Sequence, residues 1–148
     1  MKDTALKIQR IFSPRDQRRR DHFDTPENAE PATDWADPGY DGISNFMEYA
    51  VAGSPQEANA PTLRLRGERV IIGAAEYLAI TARQHKAVTD LAFISEAFSS
   101  LDSAQWNSGA VGEIRHPETG TWWHVTARNG ILLPLAPIRF LRLRITGP

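Results

Sequence analysis

Five residues inside one twelve-residue stretch have the types and spacing to hold a hard cation: Asp37, Asp41, Ile43, Asn45 and Glu48. Calcium takes about six to eight oxygens at roughly 2.3–2.6 Å, and an EF-hand-type loop supplies them from positions 1, 3, 5, 7, 9 and 12, with glycine at 6. Here Asp37 stands at the first position, Asp41 at the fifth, Gly42 at the sixth and Asn45 at the ninth. Ile43 offers a backbone carbonyl at the seventh, and Glu48, one turn into a following helix, offers a bidentate carboxylate at the twelfth. Position 3 is Gly39, which brings no side-chain oxygen. A water or a neighbouring carboxylate such as Asp34 has to stand in, and the loss of one acid weakens the site. The same residues also read without a metal: Asp41-Gly42 is a turn signal, Ser44 is a helix N-cap, and acids before a helix are favoured by its dipole.

A second set of side chains could hold a sugar ring: Trp106, Trp122 and Trp123. Trp122 and Trp123 are adjacent and so face opposite sides of any strand that carries them. The basic run Arg15, Arg18, Arg19 and Arg20 could meet phosphates, but the acids that begin at Asp21 make local pairing the simpler reading. His22, His85, His116 and His124 are dispersed without a metal-binding pair. Ser95-Glu96 and the carboxylates Glu113 and Glu118 lack the context of a nucleophile or an acid–base pair. The sequence therefore points to a protein that is not an enzyme and does not bind nucleic acid.

These candidates sit in a chain of 148 residues with 41% apolar residues, 24% charged residues, a formal net charge of -1 and no cysteine. That composition suits a globular chain with its own core, and it excludes disulfides and thiolate sites. No apolar run reaches the roughly 18–20 residues that span a bilayer, and Met1-Lys2-Asp3-Thr4 lacks the apolar stretch of a signal peptide, so export would need a signal from elsewhere. Thr4–Phe12 reads as a short amphipathic helix. Ser13 caps a second one, with Pro14 at its first position and an end near Phe23. An acidic loop over 24–42 leads to a helix from Ser44 to Val51, which Gly53 and Pro55 stop. From Thr62 the period changes to two. Leu63 and Leu65 precede a hairpin turn at Arg66-Gly67-Glu68 into Val70-Ile71-Ile72. Further strands fall at Tyr77–Arg83, Leu91–Phe98, Ala110–Arg115, Thr121–Ala127 and Ile138–Ile145. The expectation is a mainly β fold: an antiparallel β-sandwich of about seven strands over 62–148, preceded by a helical segment with the EF-hand-like loop over 1–61.

The segment from Trp35 to Ala50 resembles the "ADPDGDGxSNxxEYA" stretch of bacterial secreted and surface proteins of the Verrucomicrobia and Planctomycetes type. It is similar to the calcium loops of dockerins and thrombospondin type 3 repeats. Leu91–Leu101 with Trp106 is similar to the "LxYxVExSxDLxxW" stretch of those proteins, and Phe140–Ile145 resembles their terminal "FLRLRV" strand. The resemblance implies a carboxy-terminal β-sandwich accessory domain of a larger exported protein, extracellular or at the cell surface, without catalysis. It implies a structural calcium ion on Asp37, Asp41, Ile43, Asn45 and Glu48. Gly39 and Tyr40 depart from the Asp-Gly of that pattern. The expected partner is a protein chain. Two further roles are a self-associating subunit docked through residues 2–23, and a glycan-binding lectin-like module that uses the tryptophans.

Overall fold

The computed structural model describes residues 11–59, 65–100, 105–116, 120–135 and 139–148. Over these residues the chain is mainly β, with six strands in two antiparallel sheets and two short α-helices. The expected helix at Thr4–Phe12, the strand around Leu63, Glu118 and the boundary at 61/62 lie wholly or largely outside the described residues; Ile11 and Phe12 themselves carry no helix.

Helix α1 spans Pro14–Phe23. Ser13 Oγ accepts the Asp16 N–H at 3.1 Å while the Asp16 carboxylate accepts the Ser13 N–H at 3.4 Å, a reciprocal cap that satisfies two otherwise orphaned donors. Pro14 sits at the first helical position, where no N–H is needed. Helix α2 spans Asn45–Val51. Its stop differs from the sequence expectation: Ala52, not Gly53, takes the left-handed conformation at φ 57°, and its N–H returns to the Glu48 carbonyl.

Strand β1 runs Arg66–Ile72 and β2 runs Ala75–His85. The hairpin expected at Arg66-Gly67-Glu68 is not there. Those residues lie inside β1, and the chain reverses at Gly73-Ala74, between the paired Ile72 and Ala75. Gly73 has φ +64°, and a positive φ at the first of two loop residues suits the twist of a two-residue hairpin. The described residues hold six strands, and the expected strand around Leu63 lies outside them. Strands β3 (Ala92–Phe98), β4 (Val111–His116), β5 (Trp122–Asn129) and β6 (Phe140–Thr146) follow. The first sheet has the order β1-β2-β5-β4, and the second is the pair β3-β6.

Ile80 and Ala127 pair across β2 and β5, as do Ala82 and Val125. With Phe93 and Leu143 of the second sheet they line a shared cavity of about 20 Å³. On β6 the alternation puts Arg142 and Arg144 on Glu96 of β3, while Leu143 and Ile145 turn to apolar neighbours. Helix α2 joins this core through Ala50 and Val51, packed against Ile43, Leu91, Phe93 and Ile145. Polar ties reinforce the contact: the Tyr49 hydroxyl donates to Asp90 at 2.6 Å, and Arg83 Nη2 donates to the Ala52 carbonyl at 3.3 Å. No helix among the described residues is long and apolar enough to cross a membrane.

Candidate metal centre

The acidic loop is shaped by its own carboxylates. Asp37 accepts the N–H of Asp41 at 3.2 Å and of Gly42 at 2.8 Å. Asp41 accepts the N–H of Ile43 at 2.9 Å and, from a later segment, the N–H of Asn59 at 2.7 Å. Two residues with positive φ, Tyr40 at 54° and Gly42 at 83°, curl the chain between these bonds. Glycine takes such angles freely, whereas a tyrosine is strained there. Asn45 and Phe46 then donate their N–H groups back to the carbonyls of Ala36 and Asp34, which fixes the angle between the loop and α2.

Glu48 projects from α2 into the protein. It is 2% exposed, and its Oε1 is buried without a hydrogen-bond partner. Burial raises its pKa to about 8, and the charges of Asp41, Asp37 and Glu57 push the same way, against Arg18. Asn45 is also buried; its Nδ2 donates to the carbonyls of Pro31 and Thr33 at 3.0 and 2.7 Å, and its Oδ1 is likewise without a partner. The Glu48 oxygen, at loop position 12, fits an oxygen-seeking cation, because such atoms are normally satisfied, whereas Asn45 borders Arg15, Arg18 and Arg19 of α1. Among the described residues, no three carboxylate or histidine side chains converge closely enough to hold a metal by themselves. A cation here would draw on backbone and amide oxygens as well.

Asp34 is not free to fill the gap at position 3. Arg15 Nη1 and Arg19 Nη2 hold its carboxylate at 3.3 and 2.5 Å. What lies over Gly39 instead is the peptide of Glu57: a Cβ on Gly39 would stand 2.9 Å from the Glu57 carbonyl oxygen. The glycine is thus required by a close backbone approach that sequence spacing could not reveal.

The arginine run faces this loop. Arg15 binds Asp90 and Asp34, Arg19 binds Asp16 and Asp34, and Arg18 Nη2 donates to the Gly53 carbonyl at 2.8 Å, beyond the C-terminus of α2. Arg20 lies over the Phe12 ring. Of the acids that begin at Asp21, Asp34 takes both Arg15 and Arg19, while Arg18 and Arg20 meet a carbonyl and a ring.

The three tryptophans stand on different surfaces. Arg142 lies 4.2 Å from the Trp106 ring centre, Arg83 lies 4.3 Å from that of Trp122, and Lys86 Nζ lies 4.4 Å from that of Trp123. Each ring thus already has a cation on one face. The tryptophan that is open to solvent is Trp35, 83% exposed beside Phe46, and Tyr40 is 91% exposed nearby in sequence. Both flank the oxygens that the loop pattern marks. Glu57 and Asn59 were missed because they reach the loop from 18 residues away or about that, and no local pattern marks them. Compared with known proteins, the chain matches no family model, no curated protein and no solved structure.

Proposed function

We propose that this chain is a non-catalytic interaction module whose acidic loop takes a structural calcium ion. Glu48 carries the reading. A carboxylate that is 2% exposed, with one oxygen unpartnered, stands at the twelfth loop position within electrostatic reach of Asp37 and Asp41. An uncompensated buried carboxylate is costly, and a divalent cation would offset that cost. Asp37, Asp41, the Ile43 carbonyl, Asn45 and Glu48 are the ligands on this reading. The ion holds the loop against α2 and stabilises the fold by linkage.

The two sheets are read as a small β-sandwich, supported by the cavity that both line. The resemblance supports attachment to a larger exported protein and an extracellular or cell-surface setting. Extracellular modules commonly bind calcium with Kd on the order of 10⁻⁴–10⁻³ M, a range that suits a loop short of one acid. The partner is a protein chain met through an exposed face.

Calorimetric titration of chelator-stripped protein, with melting curves with and without calcium, tests this. Millimolar calcium is expected to raise Tm by several degrees and to release or absorb heat in the parent but not in Glu48→Gln. No heat and no shift in the parent would overturn the calcium reading and leave a turn held by Asp37 and Asp41 alone.

A further inference from the structure

We infer that the backbone carbonyl of Glu57 supplies the oxygen missing at the third position of the loop; the inference rests on the calcium reading above and extends its ligand set to a second segment of the chain. In an EF-hand-type loop the third side chain leaves its Cα toward the ion. The direction it would take from Gly39 is occupied. The nearest atom to an added Cβ is the Glu57 oxygen at 2.9 Å, with the Glu57 carbon at 3.2 Å and nitrogen at 3.5 Å, so the Glu57 backbone lies alongside the space a ligand side chain would fill, its carbonyl oxygen nearest. A backbone carbonyl is a competent calcium ligand, as position 7 of such loops already shows.

The segment that carries this carbonyl is held against the loop independently. The Asn59 N–H donates to Asp41 Oδ2 at 2.7 Å, Asn59 Nδ2 donates to the Ser54 carbonyl at 3.3 Å, and the Glu57 N–H donates to the same carbonyl at 3.2 Å. Residues 54–59 therefore form a turn that is pinned to loop position 5 and overlies position 3. The buried, unpartnered Glu48 Oε1 is the separate sign that the loop is short of a cation. The absence of an acid at position 39 then follows from the architecture: an aspartate there would collide with the oxygen that replaces it. An ion bound in this way joins the loop to residues 54–59, the chain that leads toward β1, and so ties α2 to the sheets by a second route.

A carbonyl that coordinates a cation is polarised, and the amide nitrogen of the next residue is deshielded. Calcium titration of ¹⁵N-labelled protein reads this directly at Ser44, which follows Ile43, and at Ala58, which follows Glu57. Both nitrogens are expected to move downfield together and to saturate at the same calcium concentration. A shift at Ser44 with none at Ala58 overturns the role of Glu57 and leaves the calcium reading intact. No shift at either, with no heat of binding, overturns both. Gly39→Ala provides a second measurement, since its methyl group must push the Glu57 carbonyl aside. A variant that still melts cooperatively is expected to bind calcium about tenfold more weakly or worse, a loss of about 1.4 kcal/mol; unchanged affinity overturns the inference.

Discussion

The segment over residues 11–59 and the sheets over 65–148 hold together by different means. In the first, charge and backbone geometry dominate. Three arginines of α1 grip Asp34, Asp90 and the Gly53 carbonyl, and the largest fully buried side chain among the described residues is an acid, Glu48. In the second, the order comes from ladders of backbone hydrogen bonds with small residues inside. Ala79, Ala97 and Ala127 are buried there, and few large apolar groups are. On one face of the four-stranded sheet a polar row crosses every strand: Glu68 accepts from Thr81, whose hydroxyl meets Thr126 at 2.9 Å, and His116 Nε2 lies 3.2 Å from Thr126. The contrast teaches where a single substitution should hurt. The helical segment concentrates its stability in several desolvated ionic contacts, while the sheets, apart from Glu96 under Arg142 and Arg144, spread theirs thinly.

The largest effect should come from breaking the arginine clamp. Asp34→Asn leaves Arg15 and Arg19, both mostly buried, without their shared counter-charge. Removing one partner of a largely desolvated pair costs about 2–3 kcal/mol after allowance for partial solvent access. The matching change in the sheets, Glu76→Gln, breaks the 3.9 Å contact with Arg69 between two exposed side chains, and an exposed pair is worth about 0–1 kcal/mol. Urea unfolding of both variants decides the comparison; equal losses would show that the clamp is no more than a surface pairing.

Glu48 gives the next effect, with the opposite sign. Its carboxyl binds its proton more tightly folded than unfolded, since the pKa rises from 4.5 to about 8. The metal-free fold therefore has this contribution in full below pH 4.5 and loses it as pH climbs toward about 8. His22 and His85, whose pKa values burial lowers, act in the other direction and weaken the fold as pH falls. The difference between parent and Glu48→Gln isolates the acid. Without calcium the variant should be more stable by on the order of 2 kcal/mol at neutral pH, with the gap closing toward pH 4.5. Calcium reverses the order, because the ion needs the ionised carboxylate, and its affinity in the parent should rise with pH through the same window. Thermal melts across pH, with chelator and with calcium, check both statements. A gap that does not change with pH would remove Glu48 as the titrating group.

The same contrast explains what could be read from the sequence. Ser13-Pro14, the helix ending at Val51 and the alternation Leu141, Leu143, Ile145 against Arg142 and Arg144 were legible because each is a local pattern with a local cause. The β1–β2 turn was misplaced because Arg66-Gly67-Glu68 has turn-like residues, while the real turn follows three apolar residues in a row. Gly67 needs no positive φ, and Gly73 does. In the candidate site, the oxygens of Asp37, Asp41 and Glu48 follow from spacing. The burial of Glu48, the engagement of Asp34 and the approach of Glu57 depend on contacts between distant segments. The arginine run was legible as basic and helical, but its partner Asp90, 75 residues from Arg15, could not be named from the sequence.

The smallest effects separate the two regions by what glycine does in each. Tyr40 holds φ 54° in the loop with its side chain 91% exposed, so it bears backbone strain and buries little in return. Tyr40→Gly relieves roughly 1 kcal/mol of left-handed strain and gives part of it back through the freer unfolded chain, for a net gain of about 0.5 kcal/mol. In β1 the opposite change should help. Gly67 has an ordinary φ, and an added Cβ there meets nothing within 4 Å. Gly67→Ala restricts the unfolded chain without strain in the strand and should also gain about 0.5 kcal/mol. Chemical denaturation of the two single variants and the double variant reads both. The gains should add in the double variant if loop and sheet respond independently, and a shortfall would show that strain at Tyr40 is shared with the sheets through residues 54–59.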